Sequence, residues 1–144
     1  MKSINNFNYA VLLTHDNGGG YVVTCRDLPE VITQGETVEE ALIEAVDALD
    51  ESFALRMEDN LEFPTPTKVL NGEYSICPPI ETQIKAFLYL VLRESNITKT
   101  ELAKRLRVNE KSVRRMLDPH YTAKLPRMAQ AMEALGKRLV VMVE

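Results

Sequence analysis

Two adjacent prolines, Pro78 and Pro79, divide this chain into two stretches whose apolar residues follow different periodicities. Proline has no backbone N–H to donate and cannot continue a helix, so the pair marks a structural break. The stretch before it contains several short β-favouring runs, whereas apolar residues after it recur every three or four positions, as they do in helices. We therefore predict two domains, residues 1–80 and residues 81–144.

The net charge changes sign at the same break. Residues 1–80 carry 4 Lys and Arg against 14 Asp and Glu, a net charge of −10, whereas residues 81–144 carry 13 against 7, a net charge of +6. Such asymmetry favours different partners: a polyanion for the basic domain and a cationic molecule for the acidic one. A charged surface that is merely solvated explains the charge equally well when it is considered alone.

The acidic stretch has the pattern of a small sheet covered by one helix. Residues 7–14 and 21–25 flank a turn rich in Asp and Gly, which predicts a β-hairpin, and residues 31–34 predict a third strand. Thr37 and Glu40 have the spacing of a capping box, so a helix with a buried apolar stripe and an acidic outer face should begin there. Residues 73 to 77 predict a last edge strand. The expected class is α+β, with the order β-β-β-α-β in the first domain.

The basic stretch has the features of a helix-turn-helix. Thr98 and Glu101 form a second capping box, Ala103 is small where two helices would cross closely, and Asn109 can cap a second helix. The residues expected to fill the wedge between the two helices are Leu102, Leu106, Val113 and Met116. Residues 98 to 117 thus resemble the helix-turn-helix of the lambda-repressor and Cro superfamily, which predicts an all-helical DNA-binding domain.

The second helix, residues 109 to 117, is expected to enter the major groove of DNA. Lys111 and Arg115 can donate to guanine, and Glu110 can accept from cytosine. The predicted DNA-binding residues are Asn109, Glu110, Lys111, Ser112, Arg114, Arg115, Lys99 and Arg107. The superfamily usually has glycine where this chain has Arg107, so either a left-handed backbone is tolerated there or the turn differs. The alternative is an ordinary three-helix unit with a solvated basic surface.

Three short motifs in the first domain resemble a second family. They are GGYVV at residues 19–23, DLP at residues 27–29 and TQGETVEEA at residues 33–41. In this order they are similar to the HicB antitoxins, closely so over residues 7–58. The resemblance implies a partial RNase H-like domain that binds a HicA-type toxin, a small ribonuclease of the double-stranded-RNA-binding type. It also implies that the second domain binds double-stranded operator DNA and represses the toxin–antitoxin operon.

The acidic domain is complementary in charge to such a toxin, because HicA-like toxins are basic RNA-binding proteins. The residues we expect to contact the toxin are Asp27, Leu28, Pro29, Glu39, Glu40 and Asp47. For each acidic residue of this set, it is equally possible that the carboxylate is only solvated and contacts no partner. Inhibition would then be occlusion, so we expect a protein that is not an enzyme and that has neither catalytic residues nor a cofactor.

Two other functions remain open at this stage. One is a stand-alone dimeric transcription repressor whose first domain senses a small ligand. The other is a metal-dependent nuclease with carboxylates drawn from Asp16, Asp27 and Glu36, although the short sheet and the family resemblance argue against catalysis. Cys25 and Cys77 are far apart in sequence and have no histidine at ligand spacing, so we expect no metal site.

The last apolar run, LVVMV at residues 139–143, predicts a short C-terminal strand. It is apolar on both faces, so one face needs cover, either from a second copy of the chain or from its own domain. Recognition of two DNA half-sites also implies a homodimer or a higher homo-oligomer. No apolar run reaches the roughly 20 residues of a membrane helix and residues 1–8 do not have the pattern of a signal peptide, so we expect a cytoplasmic protein with no membrane partner.

Overall fold

The computed structural model describes residues 4–144, and the chain divides between Ile80 and Glu81 into two compact units. Unit 1, which ends at Ile80, contains a four-stranded sheet and one long helix, whereas unit 2 contains helices. The predicted α+β class and the β-β-β-α-β order of the first unit are confirmed. None of the helices formed by residues 4–144 is both long and apolar enough to cross a membrane.

Unit 1 is built on an antiparallel sheet with the strand order β3-β2-β1-β4. Its strands are β1 (Tyr9–His15), β2 (Tyr21–Cys25), β3 (Ile32–Gly35) and β4 (Glu73–Ile76). β1 and β2 form the predicted hairpin, in which Leu13 lies opposite Val23. The turn between them is closed by a hydrogen bond of 3.0 Å from the Asp16 N–H to the Gly20 carbonyl. β4 adds to the other side of β1, so the hairpin occupies the middle of the sheet.

Helix α1 (Val38–Glu58) packs on the sheet and begins where the sequence predicts. The Glu40 N–H donates to the Thr37 hydroxyl at 3.1 Å, which satisfies one of the free N–H groups of the first turn. Gly35 ends β3 directly against the helix, where an added Cβ would lie 2.4 Å from the backbone nitrogen of Ala41. Only glycine therefore allows α1 to approach the sheet edge this closely.

An aromatic cluster fills the core of unit 1. The ring centroid of Phe53 lies 5.1 Å from that of Phe7, 6.0 Å from that of Tyr9 and 4.5 Å from that of Phe63. The Tyr9 hydroxyl donates to the Pro64 carbonyl at 2.7 Å, so its polar end is satisfied. Phe53 thus joins α1 to β1 and to the loop that follows α1.

Two arginines hold that loop, residues 59–72, against the sheet. Arg26 donates to the Glu73 carboxylate at 2.5 Å and to the Thr67 hydroxyl at 2.8 Å, and this contact lowers the pKa of Glu73. Arg56 donates to the Glu30 carboxylate at 2.5 Å and holds the pKa of Glu30 at about 2, well below its usual value. Arg56 also donates to a loop carbonyl, that of Glu62, at 2.8 Å. The segment after β2 is therefore tied to both α1 and the loop.

Unit 2 consists of four helices. They are α2 (Ile80–Ser95), α3 (Lys99–Leu106), α4 (Glu110–Leu117) and α5 (Leu125–Ala134). The apolar spacing in α2 predicts a buried stripe made of Ile84, Phe87, Leu88, Val91 and Leu92. Leu88 and Leu92 are buried as predicted, but the other three are partly exposed and Lys85 is buried instead. The helix is turned from the expected orientation because the ammonium of Lys85 has hydrogen-bond acceptors inside the unit.

The predicted C-terminal strand is wrong for the single chain. Residues 137–144 form neither helix nor strand, and the side chains of Val140, Val141, Met142 and Val143 are 72%, 78%, 79% and 93% exposed. A strand is stable only when its backbone groups pair with another strand, and among residues 4–144 no strand pairs with this segment.

Candidate functional site

Two short helices, α3 and α4, are joined by residues 107–109 in unit 2. Three of the four predicted wedge residues, Leu102, Val113 and Met116, are buried, whereas Leu106 is partly exposed. Ala103 is only 4% exposed, as expected where two helices cross closely. The Val108 N–H donates to the Ala103 carbonyl at 3.0 Å and closes the end of α3. The two helices therefore pack through the predicted apolar residues, and the polar side of α4 faces solvent.

Arg107 lies in the turn between these helices in the left-handed conformation, with φ 58° and ψ 41°. This conformation brings the Cβ of an ordinary residue close to the following carbonyl oxygen, at a cost of roughly 1–2 kcal/mol. The chain thus keeps the left-handed turn that glycine usually provides, with an arginine in its place. The side chain of Arg107 is exposed and extends a positive charge into solvent.

We expect Arg107→Gly to raise the free energy of unfolding of unit 2 by about 1 kcal/mol, since glycine adopts a positive φ without the Cβ contact. Urea denaturation followed by circular dichroism would measure the change. Arg107→Ala is the matched control, because it removes the same charge and keeps the Cβ. Equal stabilities of the Gly and Ala variants would show that residue 107 is not left-handed.

The outer side of α4 carries exposed cations and a carboxylate that is already engaged. Lys111, Arg114 and Arg115 are exposed. The Glu110 carboxylate accepts from the Thr100 hydroxyl at 3.0 Å and from Arg114 at 2.6 Å, and both contacts lower its pKa. Glu110 therefore links α3 to α4, and a contact from Glu110 to a base would have to replace these bonds.

Of the remaining predicted DNA-binding residues, Asn109 and Ser112 form the N-terminal cap of α4, and Lys99 is an exposed cation on α3. The Asn109 side chain accepts from the N–H of Ser112 at 2.8 Å and from its hydroxyl at 2.9 Å, so it caps α4 as predicted. Lys99 lies in the first turn of α3 and is exposed. Among residues 4–144, neither Lys111 nor Lys99 forms an ion pair, although the charge of Lys99 helps to lower the pKa of Glu110. The charge of Lys111 is therefore the more available of the two to an anionic partner.

Two residues of unit 2 that influence this surface, Tyr121 and Lys85, were not among the predicted site residues. Tyr121, in the loop after α4, has its ring centroid 5.5 Å from the guanidinium carbon of Arg115. Lys85 donates hydrogen bonds from α2 to backbone carbonyls of the same loop. The available signal was a lysine at a position that shares a helix face with Leu88 and Leu92, which is unusual unless its charge has partners.

The outer side of α1 in unit 1 is strongly acidic. Five of its carboxylates are exposed and form no ion pair among residues 4–144, and we call them the acidic helix face: Glu39, Glu40, Glu44, Asp47 and Glu51. Ile43 lies in the same i, i+4 row as Glu39 and Asp47 and is 63% exposed. Ile43 was not predicted as a surface residue of interest, because it does not belong to the buried apolar stripe of α1. An apolar side chain therefore lies at the centre of an acidic surface.

The other residues expected to contact a toxin lie between β2 and β3. Asp27 accepts from the N–H of Thr67 at 2.9 Å and from the Thr67 hydroxyl at 2.9 Å, so its carboxylate holds the loop of residues 59–72. Leu28 is 0% exposed and belongs to the core, whereas Pro29 is exposed. The members of the predicted set with exposed side chains are thus Pro29, Glu39, Glu40 and Asp47.

The carboxylates considered for a nuclease do not form a metal-binding group. Within residues 4–80, no three side chains of His, Cys, Asp or Glu bring their ligand atoms close enough to hold one ion. A two-metal mechanism needs several carboxylates that converge within a few ångströms. Asp27 is moreover engaged with Thr67. The geometry of unit 1 therefore gives no support to the nuclease alternative.

Comparison with known proteins gives a consistent family. Residues 8–87 match the model of the HicB-like antitoxins of bacterial toxin–antitoxin systems. The chain is 38% identical over 136 residues to antitoxin HicB of Escherichia coli, covering 94% of this chain and 99% of that protein. It is 35% identical to antitoxin HicB 1 of Photorhabdus laumondii over 98% of this chain and 90% of the relative. Antitoxin HicB of Pseudomonas fluorescens is 32% identical over 100% of this chain and 99% of its own length. The chain belongs to the family of HicB-like antitoxins of bacterial toxin–antitoxin systems.

Proposed function

We propose that this protein binds and occludes a HicA-type ribonuclease toxin with unit 1 and represses its own operon with unit 2. The observation that carries the proposal is the extent of the likeness, because similarity to an antitoxin covers 94% of the chain and therefore includes both units. The opposite net charges of the two halves support a division of labour between a basic protein partner and DNA. We propose that the protein has no enzymatic role. We also propose that it is located in the cytoplasm, together with the toxin and the operator DNA.

The acidic helix face is the proposed docking surface for the toxin. Its unpaired carboxylates attract a basic ribonuclease and raise the association rate, while burial of Ile43 would supply affinity that charge alone does not. A toxin bound through the cationic surface that it uses for RNA cannot bind RNA there at the same time. Neutralisation is therefore explained by simple occlusion.

Charge reversal tests this surface. We expect Asp47→Lys to lower the association rate with the toxin severalfold, with a larger effect at low salt, because like charges then face each other. Glu62→Lys is the matched control, since Glu62 is exposed in the loop after α1 and its replacement changes the net charge equally. Stopped-flow association at two salt concentrations measures both. Equal effects of the two variants would exclude the acidic helix face as the docking surface.

In unit 2, we propose that α3 and α4 act as a helix-turn-helix with α4 in the major groove. Support comes from the buried contacts between the two helices, the cap at Asn109 and the exposed cations that follow it. Lys111, which is exposed and unpaired near the N-terminus of α4, is the best placed residue to reach a base edge. Lys99 and Arg107 would add attraction to the phosphate backbone.

We propose that the protein forms a dimer through its exposed C-terminal segment. Four consecutive apolar side chains, residues 140–143, lie in solvent in the single chain, which is costly for an isolated protein. Pairing of this segment with the same segment of a second copy would satisfy its backbone and cover one of its faces. Two copies of α4 could then occupy half-sites about one helical turn of DNA apart.

Val141→Asp is expected to convert the dimer to a monomer, because it places a charge in the paired segment. Sedimentation velocity would show the change of mass, and operator affinity should fall at least tenfold because the two half-sites are no longer bound together. Lys137→Asp, which lies before the apolar run, is the control. A dimer of unchanged stability in the Val141 variant would show that this segment is not the dimer interface.

A further inference from the structure

The buried lysine of unit 2 ties α2 to the loop that follows α4. Lys85 is 1% exposed, and its ammonium donates to the backbone carbonyls of Asp118 and Tyr121. Burial lowers the pKa of Lys85, while the nearby carboxylates of Asp118 and Glu81 act in the opposite direction. Lysine is almost never buried unless its charge is paired or hydrogen-bonded. Lys85 therefore anchors both ends of residues 118–121 to α2, and a hydrogen bond of 3.1 Å from the Tyr121 N–H to the Asp118 carbonyl closes the same turn.

The loop in turn restrains an arginine of α4. The Tyr121 ring lies beneath the guanidinium of Arg115, with 5.5 Å between the guanidinium carbon and the ring centroid. Tyr121 is 49% exposed, so the core does not require its ring. A guanidinium held over an aromatic face keeps its N–H groups free in the plane of the group. Arg115 is thus directed by Tyr121, and Tyr121 by Lys85.

Arg115 lines a cleft of about 280 Å³ between α4 and the start of α5. The polar groups of its wall are Ser112, Arg115, Thr122, Lys124 and Arg127. Its described lining includes no acidic residue, and among residues 4–144 neither Lys124 nor Arg127 forms an ion pair. Three cations without a countercharge repel one another, and a bound anion would remove this repulsion. The cleft therefore has the chemistry of an oxyanion site.

We infer that this cleft seats a phosphate of the DNA backbone, that Arg115 binds the phosphate instead of reading a base, and that Lys85 positions the seat. The inference rests on the proposed DNA binding of unit 2. Guanidinium groups bind phosphate oxygens through two parallel hydrogen bonds, and the Thr122 hydroxyl can donate to the same group, whereas the Ser112 hydroxyl already donates to Asn109. Arg115 contributes to affinity for any sequence, which leaves Lys111 as the residue that reads a base.

The assignment of Arg115 is tested with the full chain on two duplexes, the operator and an unrelated sequence of equal length. Arg115→Ala should weaken binding to both duplexes by the same factor, about tenfold per subunit, and lower the salt slope by about 1 per subunit. A loss confined to the operator would overturn the seat and make Arg115 a base contact. Binding of neither duplex by the unchanged protein would overturn the proposed DNA binding itself.

The role of Lys85 is tested by coupling. Lys85→Met keeps the aliphatic stem and removes the charge, and we expect the same uniform loss on both duplexes as for Arg115→Ala. Combining the two changes should add no further loss, because they disable the same contact. Tyr121→Leu gives the same test without altering the core and should reproduce the loss even if the Lys85 variant does not fold. Additive losses, or unchanged binding by Tyr121→Leu, would overturn the positioning role.

Discussion

Full-length protein with Lys111→Ala is expected to bind operator DNA about 10- to 100-fold more weakly per subunit, because a good contact to a base edge contributes about 1–3 kcal/mol of discrimination. In a dimer both copies lose the contact, so the losses multiply. Binding to an unrelated duplex should change far less, since only one charge is lost. Fluorescence anisotropy on both duplexes at one salt concentration would measure the ratio.

Lys137→Ala is the matched control for this experiment. Lys137 is also exposed in unit 2 and carries the same charge, but it lies beyond the C-terminal end of α5, whereas the cleft lies at the start of that helix. We expect its replacement to reduce binding of both duplexes slightly and equally. If Lys111→Ala behaved in the same way as this control, α4 would not read bases through Lys111.

Phe53→Ala is expected to produce the largest loss of stability in unit 1. Phe53 is fully buried and contacts three other aromatic rings, and such a truncation costs about 3–5 kcal/mol. Domains commonly have only about 5–15 kcal/mol of stability, so a large share is removed. We expect the variant to lose toxin neutralisation in a growth assay, and urea denaturation would measure the stability directly.

Operator binding should survive in the same variant, because unit 2 has its own buried residues, including Leu102, Val113 and Met128. Leu70→Ala is the control: it also removes an apolar side chain from unit 1, but that side chain is 57% exposed. The control should neutralise the toxin as well as the unchanged protein does. If Phe53→Ala lost both operator binding and toxin neutralisation, the proposal that the two units have separate functions would be contradicted.

The parts of the structure that sequence predicted are those with local causes. Thr37 and Asn109 accept hydrogen bonds from N–H groups three residues further on, so the starts of α1 and α4 are encoded within four residues. The hairpin follows from a Gly-rich turn between two β-favouring runs. At the candidate site, the exposed cations of α4 followed from the same helical periodicity that buries Val113 and Met116.

The features that sequence did not predict depend on groups far apart in the chain. Lys85 is buried because two carbonyls more than 30 residues later, at Asp118 and Tyr121, accept its hydrogen bonds. Glu110 was expected to face a base, but Thr100 and Arg114 engage its carboxylate. The prediction of a C-terminal strand was wrong for a related reason, because the sequence pattern of a strand does not specify which strand it pairs with. Each case requires knowledge of a tertiary neighbour.

The most direct test measures both proposed activities in the same cells. The protein is co-expressed with a HicA-type toxin, the proposed partner, and growth is recorded together with a reporter under control of the proposed operator. We predict that the unchanged protein restores growth and represses the reporter, and that Lys111→Ala still restores growth but leaves the reporter active. Growth arrest despite the unchanged protein, or repression that is insensitive to Lys111, would contradict an acidic toxin-binding unit joined to an operator-binding unit.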